Sequence, residues 1–179
     1  MCHFITLIAP TDDTAGVRSI MQRHGRTAEP IDNPSIRKIL NSGEHQYLTT
    51  LGQCDCGTVL APRVDMSEAF EEKLAKEAAR MKRKGWSEAK IVRAIEGRRK
   101  VNVRPHGGGS DSIALWNDVL RDLSQELKLS YVGLFVRFYA GAIATESFSA
   151  SRREIAKNTA WSGALALMKQ TEATFFRLK

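Results

Sequence analysis

Tyr131-Val132-Gly133-Leu134-Phe135-Val136-Arg137-Phe138-Tyr139 is the stretch on which the fold turns. It is rich in β-branched and aromatic residues, and Arg137 is its one charged member. A strand with one wet face alternates apolar and polar residues, whereas one covered on both faces reads as a continuous apolar run. This run therefore predicts a central strand with a packed layer on each side. Upstream, Ile113, Trp116, Leu120, Leu123 and Leu127 recur at spacings of three and four, which predicts a helix from Ser110 or Asp111 to about Leu127. Downstream, Gly141 allows a turn, and Ile143 to Ser149 reads as the second arm of a hairpin. Residues 151–170 read as helical, and the Phe175-Phe176-Arg177-Leu178 tail is expected to pack back on the core.

The N-terminal half supplies the remaining layers. Residues 3–9 are dense in strand formers and stop at Pro10. Thr11, Asp12 and Asp13 are N-cap choices for a helix over 12–24, whose apolar residues are Val17, Ile20 and Met21. Residues 26–34 read as a loop, Pro34 as the start of a short helix to Leu40, and His45–Leu51 as a strand. The expectation is an α+β fold. A small mixed or antiparallel sheet from 3–9, 45–51, 131–139 and 143–149 would be covered by helices 12–24 and 111–127. We expect one domain over 1–179, with a basic helical hairpin inserted at 66–104 and a flexible joint at 105–111.

Charge singles out that hairpin. Of the chain's 27 Lys/Arg and 20 Asp/Glu, residues 66–104 hold twelve Lys/Arg against six Glu, so the other 140 residues are almost neutral. Phe70, Leu74, Ala78 and Met81 predict one helix, Gly85 breaks it, and Ile91, Val92 and Ile95 mark a second. A basic block inside a balanced chain suits an anionic surface, whether nucleic acid, phosphate or an acidic partner. The residues concerned are Lys82, Arg83, Lys84, Lys90, Arg93, Arg98, Arg99, Lys100 and Arg104, with Trp86 as an aromatic anchor at the turn. The plainer readings are that these cations cap helix C-termini and that Trp86 only packs the hairpin.

The cysteines are Cys2, Cys54 and Cys56. An odd number in a chain that shows neither a basic leader nor a long apolar run argues against a disulfide framework and for a reducing, cytoplasmic setting. No apolar run approaches the roughly 18 residues of a membrane span, and mean hydropathy is −0.30. Thiolates two residues apart suit a borderline metal such as zinc, which takes four ligands. If strands 3–9 and 45–51 pair antiparallel, Cys2 and His3 come beside Cys54 and Cys56 and complete a four-ligand set. The competing reading is a turn holding small, partly buried thiols.

Other matches are fragments. His106-Gly107-Gly108-Gly109 looks like an esterase oxyanion loop, but the chain has no Gly-x-Ser-x-Gly elbow. Phe135-Val-Arg-Phe138 matches only the tail of an RNA-recognition strand. Removal of Met1 would expose Cys2 as class II glutamine amidotransferases expose their nucleophile, yet the partner motifs of such domains are not recognisable.

Met1-Cys2-His3-Phe4-Ile5-Thr6, Leu48-Thr49-Thr50, Cys54-Asp55-Cys56-Gly57-Thr58 and the Gly133–Glu146 stretch resemble those of a group of small bacterial proteins of no assigned activity. The likeness covers about a third of the chain. It implies a shared fold and draws attention to the Cys-Asp-Cys segment. Small proteins of this kind are often immunity proteins or antitoxins, an association that carries no motif. The leading expectation is thus a non-enzymatic cytoplasmic protein that masks a protein partner. Nucleic-acid binding through the hairpin is the second, and a small metal-dependent enzyme centred on Cys2, Cys54 and Cys56 is the third.

Overall fold

A computed structural model describes residues 2–50, 52–61, 68–102, 111–156 and 160–178. Among these, six strands form one sheet in the order β2-β3-β1-β4-β6-β5. They are β1 (Cys2–Ala9), β2 (Glu29–Ile31), β3 (His45–Leu48), β4 (Tyr131–Tyr139), β5 (Ser151–Ile155) and β6 (Glu172–Arg177). Every neighbouring pair is antiparallel except β5 and β6. The α+β expectation holds, and β4 lies inside the sheet with β1 on one side and β6 on the other.

The apolar run of β4 is covered on both faces. Val132, Leu134 and Val136 join Ile5 and Leu7 of β1 under helices α1 (Thr14–Arg23) and α5 (Ile113–Glu126). Those helices contribute Val17, Ile20 and Met21, and Trp116, Val119, Leu120 and Leu123. Phe135 faces the other way, clustering with Ile8, Phe175 and Ile36, the last from the short helix α2 (Pro34–Arg37). Gly133 is the gap in this run. The Phe175 ring lies over it so closely that a Cβ there would sit 2.7 Å from a ring carbon. Asp13 and Ser112 cap α1 and α5 by accepting from the Gly16 and Leu115 backbone N–H groups.

Three segments depart from expectation. Residues 143–149 form no strand. Glu146 accepts from the Ala140 and Gly141 N–H groups at 2.8 and 2.6 Å, and Asn33 Nδ2 donates to the Ile143 and Glu146 carbonyls. These bonds fix a turn, so Phe148 stacks on Phe135 with ring centres 5.7 Å apart instead of extending a hairpin. The expected helix 151–170 divides into β5 and the short helix α6 (Trp161–Ala166). Edge strand β5 carries charge because Arg153 pairs with Glu172 and Glu154 with Arg177 on β6. The expected loop 26–34 contains β2, another edge strand, where Pro30 costs no ladder bond. The aromatic tail does return to the core, as strand β6.

Helices α3 (Glu68–Arg83) and α4 (Glu88–Asn102) meet at a turn where Gly85 adopts φ +78° and Trp86 N–H donates to the Met81 carbonyl. Leu74 and Met81 are buried. Among the described residues no helix is long and apolar enough to cross a membrane.

Candidate thiol cluster and basic hairpin

β1 and β3 pair antiparallel with Thr6 opposite Leu48, and the chain continues past β3 along the start of β1. Thr49 donates to the Ile5 carbonyl through both its N–H and its hydroxyl. Asp55 N–H donates to the His3 carbonyl at 2.8 Å, and the Ile5 N–H donates to the Asp55 carboxylate at 2.8 Å. Thr50 adds a hydroxyl at 2.5 Å to the same oxygen. With Asp55 turned inward, its two neighbours face the other way. Cys54 and Cys56 thereby meet Cys2, and the three sulfurs lie within 4.8 Å of one another.

Asp55 is 1% exposed and forms an ion pair at 3.0 Å with Arg26, itself buried, in a contact without hydrogen-bond alignment. The Arg26 guanidinium lies 4.7 Å from the centre of the Trp116 ring. Burial pushes the Asp55 carboxyl up, and the Arg26 charge opposes that shift. Beyond this pair, Asp111 accepts from Val59 N–H and Trp116 Nε1 at 2.6 and 3.1 Å, tying the far end of the loop to α5.

The thiols are half-buried and unequal. Hydrogen bonding from the Cys56 backbone holds the Cys54 thiol below its ordinary range, helped by the Cys56 and Cys2 side chains. Burial pushes the Cys56 thiol up, and the nearness of Cys54 adds to the rise. His3 N–H donates to Cys56 Sγ at 3.2 Å, while its ring Nδ1 is 3.7 Å from that sulfur and its Nε2 is 2.9 Å from the Gln170 amide. Burial lowers the His3 pKa, with Asp55 pulling the other way. His3 thus touches one sulfur, whereas the three cysteines share one point. An imidazole biased toward its neutral form beside a Cys54 thiol held below its ordinary range is metal-ligand and redox chemistry.

The hairpin carries the second set of residues. Trp86 is 37% exposed and Val92 50%, and Lys90 Nζ lies 4.3 Å over the Trp86 ring. A groove of about 330 Å³ runs between Ala78, Ala79, Lys82, Trp86, Glu88, Ile91 and Val92. On the other flank of Trp86, a hollow of about 120 Å³ brings Lys84 and Arg98 together with Glu77, Arg80 and Met81. Arg98 pairs with Glu77 across the helices, and Lys76 with Glu72 along α3. Among the described residues Lys82, Arg83 and Lys84 make no ion pair, and Arg93 donates to the Ala89 carbonyl. Arg99 and Lys100 lie on α4, but their side chains are outside the description. Arg104, residues 105–110 of the expected joint and His106–Gly109 lie outside the described residues.

Sequence reasoning missed Arg26, Asp111 and Gln170. Nothing in their spacing connects them to the cysteines; only the folded sheet does. No family model matches the chain, and no curated protein or solved structure is significantly similar to it.

Proposed function

We propose that the protein is a binding protein that masks an acidic protein partner on the tip of the α3–α4 hairpin. The observation that carries this reading is Trp86, a half-exposed indole with a hollow on each flank, bordered by Lys82, Lys84 and Lys90. Protein interfaces concentrate their affinity in such aromatic anchors, with charge at the rim setting orientation and encounter rate. Exposed Val92 and the small Ala78 and Ala79 make the adjoining groove apolar, which suits a helix carrying one apolar and one acidic face. The same cations suit phosphates, but an apolar groove beside an indole adds nothing to phosphate contact. The resemblance to small bacterial proteins makes an immunity or antitoxin role the natural form of such masking. Three adjacent free thiols suit a reducing, cytoplasmic setting.

The test compares wild type with Trp86→Ala and with Lys82→Glu/Lys84→Glu as bait in the native host. A protein partner held by wild type and lost by both variants, at unchanged melting temperature, supports the reading. Retention on DNA or RNA that falls about a thousandfold between 50 and 200 mM salt would transfer the hairpin to nucleic acid. Partner capture indifferent to both substitutions rejects the hairpin as the docking site.

A further inference from the structure

We propose that Cys2, Cys54 and Cys56 bind one zinc ion as thiolates, with His3 Nδ1 as the fourth ligand. The first support is convergence. A tetrahedral zinc with Zn–S bonds of about 2.3 Å sets its sulfurs about 3.8 Å apart. Here all three sulfurs lie within 4.8 Å of one another, so shifts below about 1 Å bring them onto a common ion. The corresponding nitrogen-to-sulfur edge is about 3.5 Å with an imidazole ligand. His3 Nδ1 meets this edge only to Cys56 Sγ, at 3.7 Å, and stands outside the three-sulfur group, so its ring must swing toward Cys2 and Cys54 to complete the tetrahedron.

The second support is the loop's own construction. Cys54 and Cys56 are separated by a residue whose side chain is committed inward, to Ile5 N–H, Thr50 and Arg26. That anchor leaves the two flanking sulfurs no face but the one Cys2 occupies. His3 N–H already points at Cys56 Sγ, the kind of donor that a metal-bound thiolate accepts. Gln170 meets His3 Nε2 at 2.9 Å. The amide nitrogen of Gln170 is the atom that faces Nε2, so metal binding requires this amide to turn by half a rotation, placing its oxygen as acceptor for Nε2–H and freeing the Nδ1 lone pair for the ion. Binding releases one proton from each thiol that is protonated beforehand, leaving S₃N around a dication with a net charge of −1.

The experiment uses the full chain, tagged at the C-terminus so that Cys2 keeps its surroundings, and purified under reducing conditions without chelator. Elemental analysis should find one zinc per chain. Cobalt should replace it with a thiolate-to-cobalt charge-transfer band and tetrahedral visible bands. Titration with an organomercurial in the presence of a chromophoric chelator should release the zinc as three thiols react, a readout that requires no variant to fold. Cys2→Ser, Cys54→Ser and Cys56→Ser should each weaken cobalt binding by at least a hundredfold. Gln170→Leu should weaken it about tenfold through loss of the ring's hydrogen bond. Wild type that carries no zinc and gives no cobalt-thiolate band overturns the site, as does a Cys2 disulfide under these conditions. Unchanged affinity in His3→Ala overturns the assignment of the fourth ligand.

Discussion

The thiol loop and the basic hairpin are opposite solutions to holding reactive or charged groups. Around Asp55 the described loop is fastened at several points: to His3 and Ile5 on β1, to Arg26 after α1, and through Asp111 to α5. At the hairpin tip the charged side chains face solvent, and among the described elements α3 packs against α4. Preorganisation suits a ligand whose geometry is fixed, such as a metal ion. Adaptable, exposed cations around an indole suit a partner whose shape varies. The difference predicts where a substitution is felt as lost stability and where as lost binding.

The largest expected loss comes from Asp55→Ala. It leaves the Arg26 guanidinium buried without its counter-charge and removes the acceptor for Ile5 N–H. Breaking a buried pair from one side costs about 3–5 kcal/mol. Urea unfolding of chelator-treated protein, which keeps metal out of the comparison, should show a lower midpoint at unchanged slope. A change under about 1 kcal/mol would mean that the loop is as loosely held as the hairpin, and the contrast would fail.

Next is Gly133→Ala in β4. The added methyl meets the Phe175 ring at 2.7 Å, between two packed strands where the ring has little freedom to retreat. Overpacking of this kind costs about 1–3 kcal/mol. Pairing it with Phe175→Leu should recover part of the loss, and a double-mutant cycle measures the coupling. Additive effects would show that the ring moves aside freely.

How much of this was legible in the chain follows from where the information sits. The doubly apolar run 131–139 gave β4 its place because burial on both faces leaves a one-dimensional trace. The convergence of Cys2 with Cys54 and Cys56 followed from one assumed strand pairing, which β1 and β3 adopt. Strand β5 was hidden because its sequence, Ser-Arg-Arg-Glu-Ile, is explained by ion pairs to residues about twenty positions away. Phe148 was misread for a related reason: its partner is Phe135 across the turn, and the turn itself is set by Asn33 and Glu146. The Asp55–Arg26 pair left no local signal at all.

A smaller effect belongs to the ion pair of the hairpin. Arg98 and Glu77 are both partly solvated, so Arg98→Ala should cost no more than about 1 kcal/mol. It should cost less still at high salt, where screening weakens the wild-type pair. Thermal melts at two ionic strengths check this. A loss of several kcal/mol that persists in salt would place Arg98 in a rigid core like that around Asp55.

The smallest stability effect, and the sharpest separation of the two regions, is expected from Lys82→Gln/Arg83→Gln/Lys84→Gln. Lys82 and Arg83 lie in the last turn of α3, and Lys84 follows it, so each charge faces the negative end of the helix dipole. That interaction contributes about 0.3–1 kcal/mol per charge at low ionic strength and fades with salt. Mutual repulsion among three adjacent cations without ion-pair partners among the described residues offsets part of it. The triple variant should therefore unfold within about 1 kcal/mol of wild type at physiological salt, while its affinity for an acidic partner falls at least tenfold. Hydrogen exchange makes the comparison local. Amides of α3 should exchange slightly faster, and those of Ile5 and Asp55, bonded inside the sheet and loop, should not change. A global loss of protection would tie the hairpin cations into the same cooperative unit as the thiol loop. Intact affinity in a stable triple variant would leave Trp86 as an anchor without its electrostatic rim, and the partner's acidic character would have to be abandoned.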